Sequence, residues 1–200
     1  MLAGLDRLFR RRRVASLPDT EASDTATAAA TPPSLSLVPA CADDIPRFIE
    51  AARHAASYGH APWVLREQRH IDTLERAVAF TVHRGRWLQR TDDGVEHWQG
   101  KLLALRHGNA PPLGLMLVCR PDEEAAWQVR FFCIETAWQG HGHGARLLEA
   151  ARQTLSGAPL HVRLPLACHA ATTSLTAAGF EQRHVDALEI ASFEAPAQWD

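Results

Sequence analysis

Apolar residues recur along the chain with two different periods, and the switches between them mark out the elements. Alternation over Ser34–Val38 predicts a short strand that Pro39 ends. Ile45, Phe48, Ile49 and Ala52 then repeat at helical spacing behind a capping Asp43 or Asp44, with Pro46 in the first turn, where its missing N–H loses no bond. Gly59, Pro62 and Trp63 interrupt the pattern before a second helix, from about Leu65 to Val82, striped by Ile71, Leu74, Val78 and Val82. Strand signals follow: a short Trp87-Leu88-Gln89, a turn at Asp92-Asp93-Gly94, then Val95–His107, broken near Gly100, Leu113–Cys119 and Ala125–Ile134. Loops at Asn109–Pro112 and Pro121–Glu124 separate them, which reads as an antiparallel meander. A third helix, Ala145–Leu155, buries Leu147, Leu148, Ala151 and Leu155 and stops at Gly157 and Pro159. A strand at Leu160–Leu164, a short helix from about Ala170 to Ala178 ended by Gly179, and a last strand at Val185–Phe193 complete the chain. The expected order is strand, two helices, three strands, helix, strand, helix, strand. That order predicts an α+β fold with one central mixed, mostly antiparallel sheet flanked by helices.

Before Leu35 the pattern disappears. Residues 1–34 combine a basic cluster, Arg10–Arg13, with a stretch rich in Ala, Ser, Thr, Asp and Pro that would bury too little surface to offset its ordering entropy. A disordered tail is expected there, with a single folded domain over residues 35–200. Leu5, Leu8 and Phe9 beside the arginines allow a second reading, a short amphipathic helix making weak contact with an acidic lipid surface or a partner. No hydrophobic stretch follows the basic cluster, so neither a secretory signal nor stable membrane insertion is expected, and cytoplasm is the default.

Composition narrows the function classes. With 46% hydrophobic and 22% charged residues in a chain of 200, a sizeable core and one cleft are expected. A formal net charge of −2 supplies no global attraction for nucleic acid. Cys41, Cys119, Cys133 and Cys168 lack metal-site spacing and read as free thiols in a reducing compartment.

The segment that carries chemistry runs from Ile134 to Leu148. It leaves an apolar strand, passes through Gly140, Gly142 and Gly144, and enters an amphipathic helix directly. The first turn of a helix leaves N–H groups without internal partners, and the helix dipole adds partial positive charge, so a phosphate can be held without a lysine. Glycines at alternate positions let a pyrophosphate approach the backbone and permit left-handed dihedrals. A Walker loop is excluded because the only lysine is Lys101, and G-x-G-x-G after a meander is not the dinucleotide fingerprint. His141 and His143 flank one glycine but have no further ligands at metal-site spacing, so no metal is expected and they read as phosphate-facing or solvent-facing. A partly protonated imidazole there would assist phosphate binding.

Gln139-Gly140-His141-Gly142-His143-Gly144 resembles the R/Q-x-x-G-x-G/A motif of the GNAT acetyltransferase superfamily at each defined position, with Ile134 as the hydrophobic residue five places earlier. Ala178-Gly179-Phe180 is similar to the Gly-Phe that closes that family's following helix, and the order of elements from Leu35 to Phe193 suits its GNAT-type α/β fold. The resemblance implies acetyl-coenzyme A as cosubstrate and an amine acceptor, on a small molecule or a protein. Backbone amides of Gly140, His141, Gly142, His143, Gly144 and Ala145, with Gln139, would hold the pyrophosphate. The pantetheine arm would lie along the strand ending at Cys133 and Ile134, where that strand splays from Leu160–Leu164. The first two helices and the loop between them, with Tyr58, His60 and Trp63, and the region after Phe180, would line the acceptor pocket. A monomer or a homodimer suits the resemblance equally.

The family's catalytic positions are changed. The usual Asn position holds Cys168, the usual Tyr acid position Leu175, and the glutamate base position Gln128. Substitutes are Glu135, at the strand end, as base directly or through water; Ser174, beside Leu175, to orient the sulfur; and His107, at another strand end, as a further base. These departures also allow an alternative, a weakly active or inactive acyl-coenzyme A-binding regulatory module.

Overall fold

The structure is a computed structural model that describes residues 34–199. The basic cluster and nearly all of the expected tail lie outside those residues. The described elements are β1 (Leu35–Pro39), α1 (Ile45–Ser57), α2 (Gln68–Arg84), β2 (Arg86–Thr91), β3 (Gly94–His107), β4 (Gly114–Arg120), β5 (Trp127–Ile134), α3 (His143–Thr154), β6 (Leu160–Pro165), α4 (His169–Ala177), β7 (Glu181–Val185) and β8 (Ile190–Ala195). The strands form one sheet in the order β1-β3-β4-β5-β6-β8-β7, with β2 paired to β3. Only the β5–β6 pair is parallel. This is the expected mixed, mostly antiparallel sheet flanked by helices.

Two differences from the expected order have local causes. Four strands make the meander where the expected order counts three, because the short signal at Trp87–Gln89 is a full strand, Arg86–Thr91, paired along its length with β3 across the Asp92–Asp93 turn, and β3 itself runs unbroken through Gly100. The expected last strand, Val185–Phe193, is instead the end of β7, a turn and most of β8. Asp186 makes that turn: its carboxylate accepts the N–H groups of Leu188 and Ile190, at 2.9 and 3.0 Å, and Glu189 takes a φ of 58°.

Both faces of the sheet are covered around its centre, which is why Leu102–Leu105 of β3 and Gly114–Cys119 of β4 read as continuous apolar runs. Leu103, Leu105, Met116, Val118 and Val129 pack with Leu147, Leu148 and Leu175 beneath α3 and α4. Leu102, Ala104, Leu115, Leu117 and Phe131 pack on the other face with Phe48 and Ile49 of α1 and Leu74 and Val78 of α2. Each fully buried large apolar side chain contributes about 1.5–3 kcal/mol of transfer free energy. α2 ends on Gly85 in the left-handed region, the usual helix stop. Asp44 is buried and ion-paired with Arg106, which ties the start of α1 to β3.

The four cysteines are free thiols. Among the described residues no helix is long and apolar enough to cross a membrane.

Candidate active site

The cleft begins where two parallel strands part. β5 and β6 pair only over Trp127–Val129 and Leu160–Val162. Beyond that, β6 stays with β8 as far as Pro165 opposite Ile190, while β5 stays with β4 as far as Ile134 opposite Gly114. A bulge starts the divergence. Leu117 faces Phe131 and Val118 faces Val129, so Arg130 is the extra residue with no partner across the ladder. The edge of β5 from Arg130 to Ile134 therefore has no strand partner on the β6 side. Two cavities, of ≈ 1270 and ≈ 720 Å³, open on this gap and share His60, Phe131, Phe132, Cys168 and Ala171 on their walls.

At the far end of that free edge stands the start of α3. Gly140 and Gly142 have φ of 79° and 76°, in the region that favours glycine, and a Cβ on either would meet nothing within 4 Å. These two glycines serve the backbone turn, and the space above them is open. Gly144 serves packing instead: a Cβ there would lie 2.4 Å from Ser174 Oγ, so glycine is what lets α3 approach α4. The first bond into the helix runs from the Arg146 N–H to the Gly142 carbonyl, at 3.2 Å. Among the described residues the N–H groups from Gly140 to Ala145 have no backbone acceptor. A dozen aligned peptides behind them add the dipole of a full helix.

The side chains of the loop divide in function. Gln139 Nε2 donates to the Ile134 carbonyl at 2.9 Å, folding the loop back on the strand end. His141 is exposed, and its Nδ1 lies 2.8 Å from the Gln139 carbonyl. His143 is only 8% exposed, stands edge-on to Trp138 at 5.8 Å, and has a buried Nδ1 without a hydrogen-bond partner. Burial pushes its imidazole below the ordinary value, and the nearby positive charge of Arg146, His141 and His107 pushes it further. That shift works against the partly protonated imidazole expected at His143. Open amides, a helix dipole and an orphaned buried ring nitrogen together fit the phosphates of a nucleotide carrier. Among the described residues no three His, Cys, Asp or Glu side chains gather where a metal ion would be held.

Cys133 and Ile134 lie on the free edge of β5 and line the larger cavity. Burial pushes the Cys133 thiol up to about 12, so it is protonated and not nucleophilic. Glu135 follows them at the strand end, its carboxylate 3.7 Å from the Arg47 guanidinium of α1, with both side chains partly exposed. Ser174 lines the same cavity from α4, its hydroxyl donating to the Ala170 carbonyl at 2.9 Å. Leu175 is fully buried, and burial raises the thiol of Cys168, so both altered family positions present apolar or protonated groups. Gln128 lies at the other end, on the smaller cavity. His107, at the end of β3, does not line the walls of either cavity. Of the aromatic rim, Trp63 packs against Phe48 and Phe131 in the core, whereas Tyr58 is 66% exposed and His60 lines both cavities.

Sequence reasoning missed Arg47 and Arg130. The available signal for Arg130 was a lone cation in an otherwise apolar strand run, Val129-Arg130-Phe131-Phe132.

No family model matches the chain. No curated protein matches its sequence significantly. Solved structures do match its fold. Spermidine N-acetyltransferase from Vibrio cholerae, solved with CoA and spermine, superposes with a TM-score of 0.58 at 10% identity, covering 82% of this chain and 95% of that one. An acetyltransferase from Thermus thermophilus gives 0.57 at 19% identity, over 82% and 97% of the two chains. An aminoglycoside acetyltransferase solved with coenzyme A gives 0.56 at 11% identity, over 82% and 95%. On that likeness the chain has the fold of the GNAT acetyltransferases.

Proposed function

We propose that this chain transfers an acetyl group from acetyl-coenzyme A to a primary amine. One observation carries the reading: the unpaired edge of β5 runs straight into the open amides of Gly140–Ala145. An extended amide-bearing arm can add to that edge as a further strand while its pyrophosphate sits on the helix start. Gln139, Cys133 and Ile134 shape the track between the two. Bound there, acetyl-coenzyme A supplies an acetyl thioester. The acceptor reaches it from the smaller cavity, between the Gly59–Pro62 loop and β6.

In this reading Glu135 takes the proton from the acceptor ammonium, directly or through water, and its pairing with Arg47 keeps the carboxylate turned into the cleft. Ser174 orients the sulfur, its hydroxyl turning from the Ala170 carbonyl to do so. Four free thiols suit a reducing compartment such as the cytoplasm.

Titration calorimetry with coenzyme A tests the carrier site. Saturable uptake at one equivalent is expected, followed by thiol release from acetyl-coenzyme A once a suitable amine is added. A folded protein that takes up no carrier overturns the proposal.

A further inference from the structure

The smaller cavity contains a charge that no described residue neutralises. Two arginines line the smaller cavity, Arg130 and Arg163. Arg163 is matched by Asp186, at 3.0 Å. The acid on that wall, Glu194, is engaged by Arg183 at 3.1 Å and by His161 at 3.7 Å. Arg130 has no ion-pair partner among the described residues, and its Nε is buried without a hydrogen-bond acceptor. Nearby cations elsewhere on the sheet are accounted for, since Lys101 and Arg120 lie over the ring of Trp127.

An arginine left this way in a core would be costly, because a buried donor group with no acceptor loses its water without compensation. Arg130 is instead placed by the bulge in β5, at the point where β6 leaves the strand. Its neighbour Phe131 belongs to the α1–α2 face of the sheet, and both residues line the smaller cavity. A planar fork of donors thus stands on the acceptor side of the gap, and a guanidinium in such a setting takes a carboxylate or phosphate in paired hydrogen bonds. A cavity of ≈ 720 Å³ is the size of a small-molecule site.

We infer that the acceptor is a small amine that also carries an anionic group, and that Arg130 binds that group. This rests on the transferase reading above and adds the substrate class to it. Arg130 acts on binding and not on the bond exchange, so it is a specificity residue.

The test uses the full chain with matched pairs of amines. The carboxylate arm sets glycine, β-alanine, 4-aminobutyrate, 6-aminohexanoate and the L-amino acids against their amides; the phosphate arm sets O-phosphoethanolamine against ethanolamine. In at least one pair the anionic member should be favoured about tenfold or more in kcat/KM, as a charged hydrogen-bonded pair requires. Arg130→Gln should reduce that preference to less than about twofold by raising the KM of the anionic member alone, and Arg130→Lys should restore part of it. Uptake of coenzyme A should be unchanged in both variants. No preference in any pair, or equal losses for both members in Arg130→Gln, overturns the inference. If no amine in the panel is acetylated, calorimetry of the same anions on the coenzyme A-loaded protein decides, and absence of binding overturns it. Failure to take up coenzyme A at all instead removes the transferase reading, and the same anion titrations on the free protein then judge Arg130 separately.

Discussion

At the α3 end of the cleft the groups facing a ligand are backbone amides, Gly140 to Ala145; at the β6 end they are side chains, among them Gln128, Arg130, His161 and Arg163. The first end needs only a helix start and glycines that allow the turn, so almost any sequence with that spacing can hold a phosphate. The second end depends on which side chain stands at each position, and each can change without disturbing the strands. A carrier site of the first kind can be shared among proteins whose acceptor sites differ. Glu135 lies between the two ends and belongs to neither.

The strongest way to sharpen that division is therefore to remove the group between the ends. Glu135→Gln keeps the shape and removes the proposed base, and kcat should fall about 100-fold, the lower range for loss of a positioned base. Coenzyme A affinity should stay within about twofold, since the amides do not involve this side chain. The ion pair with Arg47 joins partly exposed groups, so its loss should cost less than about 1 kcal/mol of stability. Steady-state kinetics with calorimetry separates these effects. An unchanged kcat would move the base toward Gln128 and a bound water, and the chemistry would then belong to the acceptor end.

Next in size is a change that breaks the cradle by packing alone. In Gly144→Ala the new Cβ would lie 2.4 Å from Ser174 Oγ and 3.0 Å from its Cβ. Either α3 or α4 must shift, at a cost of about 1–3 kcal/mol, typical of an overfilled contact. Adding Ser174→Gly to that variant removes the obstruction, so the pair should recover much of the loss in urea denaturation and in coenzyme A affinity, whereas Ser174→Gly made in the parent should bring no gain in either. A neutral Gly144→Ala would mean that the two helices are not held at this separation.

The same contrast governs what could be read from the sequence. The elements on either side of the cradle were legible because Ile45, Phe48, Ile49 and Ala52, and later Leu147, Leu148 and Ala151, repeat with a helical period that burial enforces. The cradle was legible because Gly140 and Gly142 are fixed by a local backbone requirement. The distinct role of Gly144 was not, since it depends on Ser174, thirty residues away in the chain. The break between β7 and β8 was hidden because the apolar residues on either side continue the strand pattern, and only the hydrogen bonds of Asp186 reveal the turn. Arg130 escaped for a related reason. Its place is set by a register shift against β4, and no local period records how one strand slides on another.

The smallest expected effect asks whether any side-chain charge helps the amides. His143 stands at the start of α3 with its pKa lowered by burial and by the charges of Arg146, His141 and His107. The unfolded chain takes up that proton near the ordinary value of about 6.5, while the folded chain resists it. The unfolded state then binds more protons, so this group's stabilising contribution is present above that pH and is lost as the pH falls through it. His143→Gln should accordingly melt with a shallower dependence on pH between about 7.5 and 5.5 than the parent, whatever its absolute stability. The slope is the readout, and an equal slope in both proteins would mean that His143 takes up its proton as readily in the folded chain as in the unfolded one. Coenzyme A affinity across the same range should differ little between the two proteins, because a ring that resists protonation offers the phosphates little charge. Tighter binding on acidification in the parent alone would make the imidazole a working cation, and the carrier end would then also depend on a side chain.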